Sequence, residues 1–255
     1  MTDEHSRAYR GWRMVAVCFV IATLAWGFGF YGQGVYLAQL IALRGWSLTL
    51  VSGAVTGFYF VSAFMVAFVA DWIARFGAPR VLACGLASTG AAVAALGVAT
   101  APWQLIGVYL LMSFGWASTS LAAITAVVGM WFAARRGLAV SLALTGASAG
   151  GILVVPALQA LIGAQGFPTA MLLAGATLAL VGAPLALFLI EAPAIGDGGG
   201  AARPANQSKG ALLRTFGFWS IGGPFAIVWV TQTAILVHEI NIFAPVVGAA
   251  GAAAA

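Results

Sequence analysis

The chain has 255 residues, of which 62% are hydrophobic and only 7% are charged. A water-soluble domain of this length would lack the polar side chains that cover a surface, so a soluble globular fold is excluded. The formal net charge is +5. The basic residues are spread between apolar runs rather than gathered on one element, which argues against a nucleic-acid-binding protein.

Long uncharged runs predict pairs of transmembrane helices. About 20 apolar residues cross a hydrocarbon core of about 30 Å, and three stretches are each long enough for two helices. These stretches are residues 14–70, interrupted only by Arg44, residues 81–134 and residues 137–190. Turn signals lie near the middle of each, at Arg44-Gly45-Trp46-Ser47, Ala101-Pro102-Trp103 and Gly163 to Pro168. We therefore predict three helical hairpins.

A linker and a seventh helix follow the third hairpin. Residues 191–214 are rich in Gly, Pro and Ala, which is a linker composition, and residues 215–237 form another apolar run. The predicted organisation is a cytoplasmic N-terminus (1–13), a six-helix domain (14–190), a cytoplasmic linker (191–214) and a last unit (215–255). That last unit holds helix 7 and the start of an eighth helix.

The basic residues predict the orientation, because cytoplasmic loops retain Lys and Arg. Only Arg44 falls on the opposite side from the others. We therefore predict a multi-pass plasma-membrane protein with a cytoplasmic N-terminus. The residues that share the cytoplasmic side are Arg7, Arg10, Arg13, Arg75, Arg80, Arg135, Arg136, Arg203, Lys209 and Arg214.

A weak internal repeat relates helices 2 and 5. Each begins near an Arg-Gly pair and carries a Gly-x-x-x-Gly pair, at Gly53 and Gly57 in one and at Gly146 and Gly150 in the other. The two helices correspond if helices 1–3 and 4–6 are two repeats of opposite topology, as in many transporters. The alternative is that these small residues only let neighbouring helices pack closely.

Several stretches carry a resemblance to a known family. They are Gly27, Gly29, Tyr31 and Gly34 in helix 1, Gly45-Trp46-Ser47 before helix 2, the run from Asp71 to Arg80, the run from Trp131 to Ala139, and Gly146, Gly150, Gly151 and Pro156 in helix 5. The chain resembles the N-terminal half of a major facilitator superfamily transporter, of the oxalate/formate and monocarboxylate-like branch, with helix 7 added.

The resemblance implies an all-α, polytopic membrane protein: a six-helix bundle of two inverted three-helix repeats, plus a seventh helix. It implies secondary transport of a small organic anion, such as a monocarboxylate, by alternating access, with no enzymatic activity. Members have two six-helix halves. We therefore interpret the chain as the truncated product of a twelve-helix gene, and we expect that it does not transport by itself, although self-association could supply a second bundle.

The resemblance also implies a cytoplasmic gate made of Asp71, Arg75 and Arg80. Members place an Asp where this chain has Ala74, and Asp71 lies three residues earlier. In the family such a loop pairs carboxylate and guanidinium groups at the cytoplasmic helix ends. The alternative is that these residues only set the topology and anchor the helix ends at the lipid surface.

The candidate substrate-binding residues are polar or aromatic residues midway along helices that face a central cavity. Their alternatives are hydrogen bonding between helices and, for Ser and Thr, bonding to their own backbone. The candidates are Tyr31, Gln33 and Tyr36 on helix 1, Trp116, Ser118 and Thr119 on helix 4, Gln159 on helix 5 and Gln232 on helix 7.

Other classes of protein fit the sequence less well. A seven-helix receptor or sensor would normally place its N-terminus outside. A membrane enzyme needs clustered His, Cys, Asp or Glu, whereas the two histidines, His5 and His238, are predicted on opposite sides. No phosphate-binding loop is present, so no cofactor or metal is expected. The expected partners are a small-molecule substrate and the lipid bilayer, and a non-transporting membrane fragment stays open as an alternative.

Overall fold

The computed structural model describes Glu4, Ser6, residues 9–191 and residues 214–252. Six helices in this part of the chain are long and apolar enough to cross a membrane, and they form the three predicted hairpins. They are α1 (Arg10–Arg44), α2 (Leu48–Val66), α3 (Ala78–Val98), α4 (Pro102–Trp131), α5 (Arg136–Gln165) and α6 (Phe167–Leu189). A short helix, Val69–Phe76, connects α2 to α3. The predicted linker lies outside the described residues from position 192 to position 213.

The turn between α1 and α2 shows why the predicted breaks occur where they do. Gly45 has φ of +64°, a left-handed conformation that favours glycine, and its N–H donates to the Ile41 carbonyl at 3.1 Å. The Ser47 hydroxyl then accepts the Leu50 N–H at 3.2 Å and caps the start of α2. Local chemistry therefore ends one helix and starts the next within three residues.

Three helices contain a π-helical turn, at Gly27–Tyr31 in α1, Gly150–Val154 in α5 and Leu178–Gly182 in α6. A π turn holds one extra residue and is often found at functional positions. The first two turns contact each other. A Cβ atom added at Gly150 would lie 2.6 Å from the Thr23 carbonyl oxygen, so the absence of a side chain there lets the α1 and α5 backbones meet.

The packing of the helices agrees in part with two inverted repeats. The closest neighbours are α1 with α5, α2 with α4, and α3 with both α4 and α6. If α1, α2 and α3 correspond to α4, α5 and α6, the α1–α5 pair corresponds to the α4–α2 pair, and the α3–α6 pair maps onto itself. The α3–α4 pair would correspond to α6 with α1, which pack against each other much less closely. The predicted all-α, six-helix architecture is confirmed.

The two Gly-x-x-x-Gly pairs have different surroundings. A Cβ atom at Gly146 would overlap the Phe19 carbonyl oxygen of α1, whereas Cβ atoms at Gly53 and Gly57 would meet no described atom within 4 Å. Close helix packing therefore explains the pair in α5. The pair in α2 lies on a face that no described helix covers.

The last helix, α7, runs without interruption from Phe216 to Ala252, which differs from the expected seventh helix over 215–237 followed by a separate start near 246. Its 37 residues give a length of about 55 Å. Alanine has the highest helix propensity, and the alanine-rich end favours continuation of the helix past Pro245. Helix α7 packs along the C-terminal part of α1, Gly32–Arg44.

Candidate substrate site and cytoplasmic gate

An aromatic cluster lies where α1, α2 and α4 meet, and we define it as Trp26, Phe30, Phe58 and Trp116. The Trp116 ring is the centre of this aromatic cluster: its centroid lies 4.9 Å from that of Trp26 and 5.8 Å from that of Phe30, on which it stacks. Phe58 contributes from α2, at 6.5 Å from Trp116. The predicted residue Trp116 is therefore buried against two other helices.

Helix α7 reaches the same cluster. The Trp229 ring lies 5.8 Å from the Phe30 ring. Trp229 is itself exposed, as are most of the other described side chains of α7. The aromatic cluster thus connects the first six helices to the seventh.

Gln33 is fully buried and lies two residues after the π turn of α1. Its Nε2 atom donates to the Gly29 carbonyl at 2.8 Å and lies 3.2 Å from the Sδ atom of Met112 on α4. Its Oε1 atom is buried and has no hydrogen-bond partner in the described part of the chain. A buried amide oxygen without a partner costs free energy, so Gln33 has a free acceptor for a ligand.

The two predicted tyrosines of α1 have different surroundings. Tyr36 is fully buried, and its hydroxyl donates to the Phe28 carbonyl at 3.0 Å. The acceptors of Tyr36 and Gln33 both lie in the π turn, where α-helical pairing is interrupted. Tyr31 is half-buried, and its ring packs against Gly151 of α5. Tyr31 therefore has the more accessible hydroxyl of the two.

The predicted hydroxyl residues of α4 are bonded to their own helix. The Ser118 hydroxyl donates to the Phe114 carbonyl at 2.9 Å, and the Thr119 hydroxyl donates to the Gly115 carbonyl at 3.0 Å. The α-helical run of α4 stops at Ser118 and resumes at Leu121. Side-chain bonding to the preceding turn often bends helices, and this accounts for the interruption.

The remaining predicted substrate residues lie further from the aromatic cluster. Gln159 is half-buried on α5, and Gln232 is exposed on α7. No described hydrogen bond joins either glutamine to the cluster. The structure therefore brings Gln33, Tyr36 and Trp116 to one junction, whereas Gln159 and Gln232 stay apart from it.

Two tyrosines beside this junction were not among the predicted residues. The Phe58 ring contacts the Tyr59 ring at 4.7 Å and the Tyr109 ring at 6.0 Å. The hydroxyls of Tyr59 and Tyr109 are buried, and neither has a hydrogen-bond partner within the described residues. The sequence signal that could have identified them is a tyrosine inside an apolar run. A buried phenol usually has a partner for its O–H group, so such a tyrosine is a candidate for a polar contact between helices.

The residues of the predicted gate lie on or next to the short helix Val69–Phe76. Asp71, Arg75 and Arg80 are all exposed, and the Arg75 guanidinium lies 5.2 Å from the centroid of the Phe76 ring. The short helix brings Asp71 and Arg75 onto one side of a turn, because they are four residues apart. Their role as a gate stays a prediction.

Among the described residues, no group of three or more His, Cys, Asp or Glu side chains could hold a metal ion.

The chain is similar in sequence to known proteins. The model of the Major Facilitator Superfamily matches residues 15–254. The human protein named monocarboxylate transporter 11 is 37% identical over 121 residues, which is 46% of this chain and 25% of that protein. The aligned region thus spans about a quarter of the length of this relative. Since the family model covers nearly the whole chain, the chain is a multi-pass membrane protein that belongs to the major facilitator superfamily.

Proposed function

We propose that the chain takes part in secondary transport of a small organic anion, a monocarboxylate, across the plasma membrane by alternating access. Three observations support the proposal: the family is one of transporters rather than enzymes, a similar protein is named a monocarboxylate transporter, and α1, α2 and α4 meet at a junction of aromatic and buried polar side chains. The distribution of arginines supports a cytoplasmic N-terminus.

The observation that carries the substrate site is the free Oε1 atom of the fully buried Gln33. It lies on the helix that contributes Trp26 and Phe30 to the aromatic cluster. A flat apolar wall suits the short alkyl or aryl part of a small acid, and the Oε1 acceptor suits a donor on that acid, such as a hydroxyl group or the proton of an un-ionised carboxyl group, because a carboxylate itself only accepts hydrogen bonds. Within α1 to α6 no Asp, Glu, Lys, Arg or His side chain lies deep in the spans, so the anion's charge would be met by helix N-termini or by groups of a second bundle.

The test is equilibrium binding of radiolabelled short-chain monocarboxylates to the purified, detergent-solubilised 255-residue chain. We expect the Gln33→Met variant, which keeps the volume and removes both polar atoms, to bind about tenfold more weakly, as for the loss of one buried hydrogen bond. The matched control is Ser118→Ala, because the Ser118 hydroxyl is bonded to its own helix. Equal affinity in the Gln33→Met variant and the unmodified chain would remove Gln33 from the site.

Transport itself requires two bundles that rock around the site, whereas the described residues form one six-helix bundle with α7. We therefore expect no flux of the labelled acid when the chain is reconstituted in liposomes at low protein density. Flux at that density would show that the chain moves substrate without a second bundle.

A further inference from the structure

Glu4, which precedes α1 in the sequence, is bound to the loop between α4 and α5 through its carboxylate. Glu4 is 8% exposed. Its Oε1 atom accepts the Ala133 N–H at 2.9 Å and the Ala134 N–H at 3.4 Å, and its Oε2 atom accepts the Arg135 N–H at 2.9 Å. Three successive backbone donors therefore bind one side chain that lies about 130 residues earlier in the sequence.

This contact has a physical basis in the start of α5 at Arg136. The N–H groups just before and within the first turn of a helix have no partner inside that helix. The positive end of the helix dipole is also there, so a carboxylate is the side chain that suits the position best. The loop itself carries no acidic residue, and Glu4 supplies one from a distance.

Aromatic contacts support the same connection. The Tyr9 hydroxyl donates to the Trp131 carbonyl, and the Tyr9 ring meets the Phe132 ring edge-on at 5.3 Å. From the first turn of α1, the Trp12 ring contacts Phe132 at 4.9 Å. The start of α1 is therefore packed against the end of α4 independently of Glu4.

The end of α6 is joined to the same place. The Trp131 Nε1–H donates to the Glu191 carbonyl at 3.1 Å. The Glu191 carboxylate lies 3.7 Å from the Arg10 guanidinium, and their side chains are 37% and 63% exposed, so this ion pair contributes little to stability. The start of α1, the α4–α5 loop and the end of α6 thus meet at one end of the bundle.

We propose that Glu4 and Tyr9 form a clasp, fastened by the Glu4 carboxylate, that holds the start of α1, the α4–α5 loop and the end of α6 together so that these four helices move as one body. Glu4 acts as a positioning residue, through the backbone of residues 133–135. The clasp joins α1 of the first repeat to α4, α5 and α6 of the second. The role of the clasp in transport rests on the proposed function, because rocking of two bundles requires each bundle to stay rigid. The existence of the clasp does not depend on that function.

The test is hydrogen–deuterium exchange, measured by mass spectrometry on the purified full chain in detergent, because it reads the three N–H groups directly. In the unmodified chain we expect the amides of residues 133–135 to be protected. In the Glu4→Ala variant we expect them to exchange at least about tenfold faster, since hydrogen bonds to a charged group are the strong ones. The Glu4→Gln variant, which keeps one carbonyl acceptor, should lie between the two.

The matched control is Glu191→Gln. It removes a carboxylate from the same end of the bundle but keeps the backbone carbonyl that Trp131 uses, so exchange at residues 133–135 should stay within about twofold of the unmodified chain. A second measurement covers the case in which Glu4→Ala expresses poorly: added acetate should slow the exchange of those amides in the Glu4→Gln variant, and an equal concentration of chloride should not.

Two results would overturn the clasp. One is unchanged exchange at residues 133–135 in both Glu4 variants. The other is equal acceleration in the Glu191→Gln control, which would mean that the whole end loosens whenever a charge is lost. Neither result depends on substrate, so the clasp can fail while binding of monocarboxylates stands, and the reverse also holds.

Discussion

Gly146 shows how a single missing side chain holds two helices together. A Cβ atom there would overlap the Phe19 carbonyl oxygen, and a backbone oxygen of a packed helix cannot move aside cheaply. We expect the Gly146→Ala substitution to lower the free energy of unfolding by about 1–3 kcal/mol, as for other overpacked positions. The measurement is unfolding by SDS titration in detergent micelles, followed by circular dichroism.

The chain offers a matched control for this substitution in Gly53. The same Gly→Ala change at Gly53 meets no described atom within 4 Å. Stability should stay equal or rise by up to about 1 kcal/mol, because alanine is the better helix former. A loss of similar size at both positions would contradict the contact between Gly146 and α1.

At the same scale, the buried polar side chains of α1 and the π turn of that helix form hydrogen bonds with each other. The π turn interrupts the α-helical pairing, and the carbonyls of Phe28 and Gly29 within it accept hydrogen bonds from Tyr36 and Gln33. Two of the predicted substrate residues therefore also have a structural role. The Oε1 atom of Gln33 and the phenol groups of Tyr59 and Tyr109 are among the buried polar atoms that have no partner within the described residues.

At the scale of elements, the junction between α1 and α2 depends on a left-handed residue. We expect Gly45→Ala to cost about 1–2 kcal/mol, because its φ of +64° is unfavourable for a residue with a Cβ atom. No described atom lies within 4 Å of that added atom, so the cost is conformational only. The same SDS titration measures it.

A second substitution at position 45 tests whether the left-handed backbone conformation is the cause of the loss. Asparagine tolerates that conformation better than alanine. Gly45→Asn should therefore lose less stability than Gly45→Ala. Gly163→Ala, at an exposed helical position with open space around it, should lose none. An equal loss for alanine and asparagine at position 45 would point away from backbone conformation.

Arg44 also belongs to this junction. It is the one arginine predicted on the side opposite to the other basic residues, and its Nη2 atom donates to the Gly97 carbonyl in the last turn of α3 at 3.1 Å. Helix C-termini favour cations and leave carbonyls without partners. The exception to the charge distribution therefore has a local explanation that does not affect the orientation.

At the scale of the whole molecule, the orientation is open to a direct test. In a background with Cys18→Ala and Cys84→Ala, which removes both free thiols, single cysteines are introduced as Thr100→Cys and Phe76→Cys. Both positions are exposed, and they lie in the α3–α4 turn and at the end of the short helix between α2 and α3. A cytoplasmic N-terminus predicts that a membrane-impermeant maleimide labels the first in intact cells.

The Phe76→Cys variant should be labelled only after the membrane is permeabilised. The cysteine-free background is the control for non-specific reaction. The opposite pattern, with position 76 labelled in intact cells and position 100 protected, would reverse the topology and place Glu4 and the α4–α5 loop outside the cell.

The six membrane-spanning helices and the turns within their hairpins could be predicted because apolar length and turn residues are local signals, whereas the extension of α7 to Ala252 was not predicted. The bonding of Ser118 and Thr119 to their own helix was also foreseeable, since hydroxyls inside helices often behave in this way. The connection of Glu4 to residues 133–135 could not be predicted, because nothing local to residue 4 specifies a loop so distant in sequence.

The partners of Gln33 and Tyr36 escaped prediction for another reason. Both bond to a π turn, and residue spacing along a helix assumes a constant 3.6 residues per turn. Tyr59 and Tyr109 were missed for a different reason, because each resembles an ordinary packing residue of an apolar run until the neighbouring helices are in place. Which polar atoms stay unpaired is decided by packing between α1, α2 and α4.

The π turn in α1 has a consequence for how the chain tolerates a change in length. One extra residue offsets every later side chain by about 100° around the helix axis. If Gly27–Tyr31 kept its five residues and relaxed to regular winding, Gln33 would rotate away from Met112 and Arg44 away from Gly97. Deletion of one residue there would instead leave the later side chains near their present angles, because four α-helical residues turn the chain about as far as the five residues of the π turn. The angular phase between the two halves of α1 thus depends on five residues, and a codon lost there would be tolerated better than one lost in the regular winding on either side.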